Sequence, residues 1–230
     1  MRKHKTSQAG FSLVELAIAL MIIGLIVGGI LKGQELLESA RLKSILTQIN
    51  EYRVATSTFI DRYDALPGDF DQATELINEK LLNGNNNGVI DGPGLIAHSK
   101  DHEAASFWAH LAAANLIPNP GTSTGNYLKF GAGAPKAKIG GGFTICYHPY
   151  EDMPGHWFLL GNENGEKGDA PGLTPLQAMS LDKKADDGNP TTGKIRAKDG
   201  AGTKKGSCVT LKGEYNTKNN EKACVVYFQM

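Results

Sequence analysis

The sequence predicts an α+β fold, in which a long N-terminal helix packs on a small antiparallel sheet with glycine-rich loops. Two observations carry this prediction. An apolar span and an amphipathic pattern follow each other with no proline before Pro67, as in one continuous helix. Short β-like runs then alternate with turns, and eighteen of the 28 glycines fall in the last 110 residues.

The helix is predicted to start with an apolar span over residues 11–31, where 16 of 21 residues are apolar. As a helix this span would be about 31 Å long, enough to cross a hydrocarbon core of ~30 Å. The ten residues before it contain three Lys or Arg and no acid, and such a flank stays cytoplasmic while the following chain crosses the membrane. No small-residue cleavage site of a secretory signal follows, so we expect the span to be retained.

Residues 32–64 are predicted to form the amphipathic half of the same helix. Apolar side chains recur there at three- and four-residue steps with charged residues between them, which indicates one buried face. They are Leu42, Ile45, Leu46, Ile49, Tyr52, Thr56, Phe59, Ile60 and Tyr63. The restriction that Pro67 places on the preceding residue predicts that the helix ends near Asp64.

Residues 65–230 are predicted to form a globular α+β domain. We expect two short helices in it, from Asp71 to Leu82 and from Ser106 to Leu116, the second ended by two prolines. Five β-like runs predict the strands of the sheet, at 143–147, 157–160, 194–196, 208–211 and 224–228.

Charge and composition argue against two classes of function. The chain has 24 basic and 24 acidic residues, so its net charge gives no reason to expect nucleic-acid binding. Outside the apolar span only about 36% of the residues are apolar, which is low for a plain cytosolic globular enzyme.

The residues at the start of the apolar span form a specific motif. The run GFSLVEL from Gly10 to Leu16 follows a short basic leader, and it resembles the processing site of type IV prepilins and type II secretion pseudopilins. The resemblance implies that residues 1–10 are a leader peptide, that a prepilin peptidase cuts after Gly10, and that Phe11 becomes an N-methylated terminus. It also implies the type IV pilin-like architecture, with the long helix packed on a small sheet.

Glu15 is the one charged residue inside the span. A carboxylate in an apolar span is costly and usually functional, although an interfacial side chain that reaches toward water is the structural alternative. The resemblance implies that Glu15 pairs with the α-amino group of a neighbouring subunit in a filament. The low dielectric of a filament core would penalise a subunit that left this charge unmatched.

The resemblance implies a structural subunit and not an enzyme. The protein would be held in the bacterial inner membrane by one span, with its C-terminal domain in the periplasm, and then be built into a filament. Its expected partners are the prepilin peptidase, other pilin or pseudopilin subunits, the inner-membrane assembly platform and the membrane. The short leader and Phe11 favour a pseudopilin of a type II secretion system, and a type IV pilus subunit for adhesion or motility is the alternative.

An asparagine-rich segment imitates a calcium loop. Asn83, Asn85 and Asn87 place side-chain oxygens at alternate positions, and Asp91 follows after a glycine turn. Only Asp91 is charged, and Gly94 stands where a bidentate glutamate belongs. Calcium is known in the pseudopilin family that the leader resembles, so a calcium site and a plain Asn-Gly turn both remain as interpretations.

A membrane-anchored periplasmic metal enzyme is the alternative from another class. His98 and His102 have the i,i+4 spacing of helical metal ligands, with Asp101 and Glu103 beside them. A Gly-Pro-Gly sequence just upstream argues that a helix has barely begun there, so a surface cluster is the favoured interpretation. A second acidic cluster, interpreted as a solvated loop, consists of Asp182, Asp186 and Asp187.

The chain has three cysteines. Cys208 and Cys224 flank neighbouring β-like runs and would close a 17-residue loop, counting both ends. In an oxidising periplasm this bridge is the predicted one, and it would stabilise the fold by ~3 kcal/mol. Cys146 is expected to be buried on its strand, and the sequence alone leaves the pairing open.

Overall fold

The computed structural model of the chain describes residues 12–96, 102–123 and 125–230. Its longest element is helix α1 (Leu13–Tyr63), which confirms the single long helix and its predicted end near Asp64. The chain divides into two compact units, with the boundary between Arg41 and Leu42.

In the first unit, α1 is apolar and uncovered. All described residues up to Arg41 are exposed except the half-buried Gly33, and Leu25 keeps 72% of its surface exposed. Within the described ranges, α1 is the one helix long and apolar enough to cross a membrane by length and composition. Burial of a leucine or isoleucine side chain is worth about 1.5–3 kcal/mol, so this segment is much more stable in an apolar environment than in water.

In the second unit, α1 buries one face in the core. The buried positions follow the three- and four-residue spacing of the sequence, and they are Leu42, Ile45, Ile49, Tyr52, Ala55, Thr56 and Phe59. The ring of Tyr52 lies edge-on to those of Trp108 and Phe143, with centroids 5.0 and 5.4 Å apart. The amphipathic half of the helix therefore supplies one wall of the globular core.

Three shorter helices accompany α1: α2 (Ala73–Leu76), α3 (Glu103–Ala113) and α4 (Pro175–Ala185). The predicted helix from Asp71 to Leu82 is wrong beyond the single turn of α2. Asn83 folds back so that its Oδ1 accepts the backbone N–H of Thr74 at 2.8 Å, and a turn follows α2 directly. The predicted helix from Ser106 to Leu116 exists as α3, displaced three residues toward the N-terminus.

The sheet has four antiparallel strands: β3 (Gly142–Tyr147), β4 (His156–Gly161), β5 (Ile195–Asp199) and β6 (Cys224–Gln229). Their spatial order is β3-β4-β6-β5. Two further strands of two residues each, β1 (Lys129–Phe130) and β2 (Gly133–Ala134), form a separate pair. The α+β class, with a long helix packed on a small antiparallel sheet, is therefore confirmed.

Both faces of the sheet are covered. Residues such as Phe143, Phe158 and Phe228 join the main core with α1 and α3. The opposite face carries a smaller cluster with Trp157 and Tyr227, which the fully buried Met153 of the β3–β4 connection covers. The alternation of side chains along each strand explains why one strand contributes to both clusters.

The fifth predicted strand, residues 208–211, is wrong. The segment forms only an isolated bridge between Val209 and Tyr215. The backbone N–H groups of Cys208 and Val209 donate instead to Oδ1 of Asp199, at 2.6 and 3.3 Å. A carboxylate at the end of β5 thus replaces the neighbouring strand that a β-ladder would need.

Helix α4 was missed by the sequence analysis, although it has a clear start signal. Thr174 and Gln177 form a reciprocal capping box around Pro175, the first helical residue. The interpretation of the acidic cluster as a solvated loop is wrong for Asp182, which is fully buried at the end of this helix.

Candidate functional site

Glu15 lies in the first turn of α1, where it forms a capping box with Ser12. The backbone N–H of Ser12 donates to Oε2 of Glu15 at 2.9 Å, and the backbone N–H of Glu15 donates to Oγ of Ser12 at 3.2 Å. Both side chains are exposed. In the single chain, then, the carboxylate satisfies a backbone donor at the helix start and has no cationic partner among the described residues.

The uncharged part of α1 ends at an ion pair. Lys32 Nζ lies 2.7 Å from Oε2 of Glu35, and both side chains are about 70% exposed. Between Glu15 and Lys32 the helix carries no charge, so the two ends of the span are marked by polar groups. This is the arrangement of an element that is apolar along its length and polar at both interfaces. Gly10 and Phe11, where the predicted processing takes place, lie outside the described residues.

The asparagine segment is a tight loop stabilised by its own side chains. Oδ1 of Asn85 accepts the N–H of Asn87 at 3.0 Å, and Oδ1 of Asn87 accepts the N–H of Val89 at 2.8 Å. Asn83 bonds to Thr74, and Nδ2 of Asn87 reaches Asp91 at 3.4 Å. Asn85 and Asn87 thus form Asx turns, and the side-chain oxygens of Asn83 and Asp91 accept other hydrogen bonds. This favours the Asn-Gly turn of the two interpretations.

Two buried carboxylates hold this loop from inside. Oδ1 and Oδ2 of Asp69 accept the N–H groups of Asn87 and Gly88, at 3.0 and 2.8 Å. Glu103 accepts those of Asn85 and Asp91 in the same way, at 2.9 and 3.2 Å. Burial raises the pKa of Glu103, while its two backbone hydrogen bonds oppose that rise. Asp69 is not among the sequence-predicted site residues, because a carboxylate in the turn after Pro67 carries no local sign of burial.

His110 connects the turn after α1 to the start of the asparagine loop. Its Nδ1 accepts the N–H of Gly68 at 2.9 Å and its Nε2 lies 2.8 Å from the carbonyl of Leu82. These contacts require a neutral imidazole with its proton on Nε2. Burial lowers the pKa of His110 to about 4. Gly68 has φ +89°, and a Cβ there would lie 2.5 Å from the carbonyl oxygen of Glu103, so only glycine fits.

The residues of the metal-enzyme alternative are not assembled as a helical ligand pair. His98 and Asp101 lie outside the described residues. His102 is the residue before the first turn of α3, and both oxygens of Glu103 accept backbone N–H groups. The geometry of the described residues therefore offers this alternative no free carboxylate at Glu103.

Asp182, Asp186 and Asp187 bring their ligand atoms within 4.8 Å of one another. Each of the three carboxylates already accepts hydrogen bonds from other groups of the protein. Asp182 accepts the hydroxyl of Tyr215 at 2.7 Å, and Asp186 accepts the N–H of Ile195 at 2.7 Å. Asp187 accepts the N–H of Asn189 at 2.9 Å. The cluster ties the end of α4 to the start of β5, which is a structural role.

The structure joins Cys208 to Cys224 by a disulfide with a Cα–Cα distance of 4.9 Å. The bridge fastens the 200–222 connection to the first residue of β6. Cys146 is the free cysteine, half-buried on β3, and burial raises the pKa of its thiol to about 12. A thiol with so high a pKa is a poor nucleophile at neutral pH.

Comparison with known proteins gives one match. Residues 5–31 match a family model described as the prokaryotic N-terminal methylation motif. No curated protein and no solved structure matched the chain. The match begins at Lys5, the last basic residue of the flank, and covers Gly10, Phe11, Glu15 and the apolar half of α1.

The matched motif and the long apolar helix support the interpretation of this chain as a type IV pilin-like protein. The motif implies processing by a prepilin peptidase and assembly with other pilin subunits. The apolar helix fits anchoring in a membrane.

Proposed function

We propose that this chain is a structural subunit of a type IV pilus-like filament, and that the filament belongs to a type II secretion system. The observation that carries the proposal is the methylation motif placed directly on an exposed apolar helix with a carboxylate in its first turn. The short leader and Phe11 support the assignment to a pseudopilin. In this proposal the chain acts by assembling with other subunits and not by catalysing a reaction.

The exposed span has two environments in this proposal. In the inner membrane, lipid covers the apolar side chains of residues 13–31, with the basic flank cytoplasmic and the second unit periplasmic. After cleavage behind Gly10, the span passes from lipid into a filament core formed by the same helix of other subunits. Both environments are apolar, so the transfer exposes little apolar surface to water.

In this proposal Glu15 fixes the axial position of each subunit relative to its neighbour in the filament. Cleavage creates an ammonium group at Phe11, and a staggered neighbour brings that group to the carboxylate of Glu15. In a medium of low dielectric, a matched pair is tolerated while a lone charge is strongly unfavourable. The N–H of Ser12 occupies one oxygen of Glu15, and the exposed capping box leaves the carboxylate accessible for this contact.

Charge removal at two positions on the same helix tests the proposal. Glu15→Leu should be cleaved and should remain in the membrane, because an apolar residue is cheaper in lipid, yet it should be lost from sheared filaments. Glu35→Leu is the matched control, since Glu35 is an exposed carboxylate that pairs with Lys32 at the end of the span. Incorporation of both variants at the wild-type level would contradict the proposed role of Glu15.

The type IV pilus subunit is the second candidate. Filaments that depend on the type II secretion platform, together with loss of secretion on deletion, would support the pseudopilin. Filaments that form without that platform, with secretion intact on deletion, would support the pilus subunit instead.

A further inference from the structure

We propose that the second unit carries two complementary charged surfaces at opposite ends of its sheet, through which copies of this chain dock head to tail. The inference rests on the proposed function and adds the contact between the globular parts. The ends are defined by the strand pairing. Tyr147 pairs with His156 at one end, and Gly142 pairs with Gly161 at the other.

The acidic surface consists of the exposed carboxylates of residues 61–91. This segment holds only two basic residues, Arg62 and Lys80. The acids are Asp61, Asp64, Asp71, Glu75, Glu79 and Asp91, all exposed.

The two ends of the acidic segment lie at the end of the sheet where β4 begins. The N–H of Ile90 donates to Nε2 of His156 at 3.0 Å, which places the end of the segment at the first residue of β4. Phe70 packs against Phe59 of α1 with ring centroids 6.0 Å apart, so the start of the segment folds back on the last turns of that helix. Arg53 of α1 donates to the carbonyl of Gln229 at the same end.

Other charges at this end leave the surface acidic. Arg196 and Lys198 are paired with Asp152, at 3.2 and 3.3 Å. Lys194 is exposed near the start of β5, and Glu151 is exposed in the β3–β4 connection. Arg196 and Lys198 share one carboxylate, so with Lys194 and Glu151 these groups add one net positive charge. This is less than the excess of four exposed acids over bases within residues 61–91, and the surface remains acidic.

The basic surface lies at the opposite end of the sheet, where β6 begins and β5 finishes. It consists of five exposed lysines on the turns of that end: Lys138, Lys204, Lys205, Lys218 and Lys222. None of them forms an ion pair within the described part of the chain.

The contacts of these turns place the five lysines together. Gly200 donates to the carbonyl of Ala223 at 2.8 Å, and Nδ2 of Asn219 donates to the carbonyl of Ser207 at 2.9 Å. A Cβ at Gly140 would lie 3.9 Å from Nζ of Lys222, which brings the turn of Lys138 beside the last lysine.

Acids near the basic surface are few. Glu221 lies within it, and the neighbouring 162–169 loop carries exposed Glu163 and Glu166 together with Lys167. Asp169 and Asp199 lie half-buried at the same end, and exposed Lys136 forms a β-bridge with Gly142 there. With Lys136 and Lys167, seven lysines stand against five carboxylates, so a net positive charge remains.

The two surfaces are too far apart to neutralise each other within one copy. They are separated by the length of strands of five and six residues, which is about 17 Å at ~3.3 Å per residue. Screening in physiological salt acts over ~8 Å. Between two copies the same charges could come within a few ångströms, where opposite signs attract.

The symmetry of such a contact matches a filament. Two different surfaces at opposite ends of one body form a heterologous contact, which repeats without closing and builds an open array. Charge complementarity across a contact fixes register and accelerates association more than it raises affinity. We therefore assign the two surfaces the role of orienting incoming copies.

Charge reversal in the full chain tests the inference through the yield of sheared filaments. Asp71→Lys with Glu79→Lys should lower the yield about tenfold, and Lys204→Glu with Lys205→Glu should do the same. Co-expression of the two variants should restore mixed filaments, because the two introduced lysines of one copy then face the two introduced glutamates of its neighbour. Lys183→Glu with Lys212→Glu is the matched control and should assemble normally, since neither lysine belongs to the basic surface. Melting temperatures of all variants should stay within a few degrees of wild type.

The outcomes separate this inference from the proposed function. Wild-type levels of filaments from both reversed variants, or failure of the mixture to recover, would overturn the head-to-tail contact alone. A wild-type chain that is processed but enters no filament in cells with the assembly machinery would contradict the proposed function and this inference together.

Discussion

Tyr215 donates its hydroxyl proton to Oδ2 of Asp182 at 2.7 Å, and both side chains are buried. Oδ1 of the same carboxylate accepts the N–H of Gly188 at 3.0 Å. The bond fastens the disulfide-bridged 200–222 connection to α4. Burial raises the pKa of Asp182 to about 6, and the hydroxyl of Tyr215 opposes that rise because it stabilises the ionised form.

Tyr215→Phe should destabilise the fold by about 1–3 kcal/mol above pH 6, because the buried carboxylate loses one of its donors. The effect should shrink as the pH falls below 6, since a protonated Asp182 needs that donor less. Urea unfolding of the full chain in detergent, followed by the fluorescence of the buried Trp108 and Trp157, measures it. Tyr227→Phe is the control, because the hydroxyl of Tyr227 contacts only that of Tyr150, at 3.5 Å. An equal pH dependence in both variants would contradict the role of Asp182.

The buried His110 should make the folded chain less stable in acid. Its pKa is about 4 in the folded chain, against an ordinary value of 6.5, because burial disfavours the charged ring. The unfolded chain therefore binds a proton first as the pH falls through 6.5, and stability decreases until about pH 4. The full effect is on the order of 3 kcal/mol.

His110→Gln isolates this contribution, because glutamine can both accept from Gly68 and donate to Leu82 without titrating. The difference in unfolding free energy between wild type and variant should change between pH 6.5 and 4 and be constant outside that range. Asp182 titrates in the same range with the opposite sign, and it cancels in this comparison because both chains contain it. A pH-independent difference would show that the ring of His110 titrates normally.

Reduction of the Cys208–Cys224 bridge should lower stability by ~3 kcal/mol, mostly through the greater freedom of the unfolded chain. Peptide mapping without reduction should recover the two cysteines in one linked pair. Cys146→Ser should leave that pair intact, because Cys146 is the free cysteine. Recovery of a peptide linked through Cys146 would show that the pairing is wrong.

Asp69→Ala should destabilise the asparagine loop by about 1–3 kcal/mol, because the N–H of Gly88 loses its acceptor and that of Asn87 keeps only Oδ1 of Asn85. Asp71→Ala, an exposed neighbour, should change stability by less than about 0.5 kcal/mol. Urea unfolding of both variants measures the difference.

Thermal unfolding with and without millimolar calcium tests whether the asparagine loop binds this ion. We expect no shift with calcium, and a rise in melting temperature that Asp91→Ala abolishes would establish the calcium site instead.

The elements with regular periodicity could be predicted from the sequence. The spacing from Leu42 to Phe59 indicated the buried face of α1, and four of the five β-like runs are strands. These patterns are local, because each residue's partner lies at a fixed step along the same element.

The remaining features depend on distant contacts. The run at Cys208 has β-propensity, but Asp199 takes the backbone N–H groups that a ladder would use. Asp69 resembles any turn aspartate until the asparagine loop folds over it. Of the missed features only α4 had a local signal, the capping box of Thr174 and Gln177.

Intact-mass analysis of the protein recovered from sheared filaments is the most direct test of the assignment as a processed pilin-like subunit. The predicted mass is that of residues 11–230 with one added methyl group on Phe11. Gly10→Glu should block cleavage, leave the chain in the membrane and remove it from the filament fraction. Full-length, unmethylated chain in cells with an active prepilin peptidase would contradict the assignment.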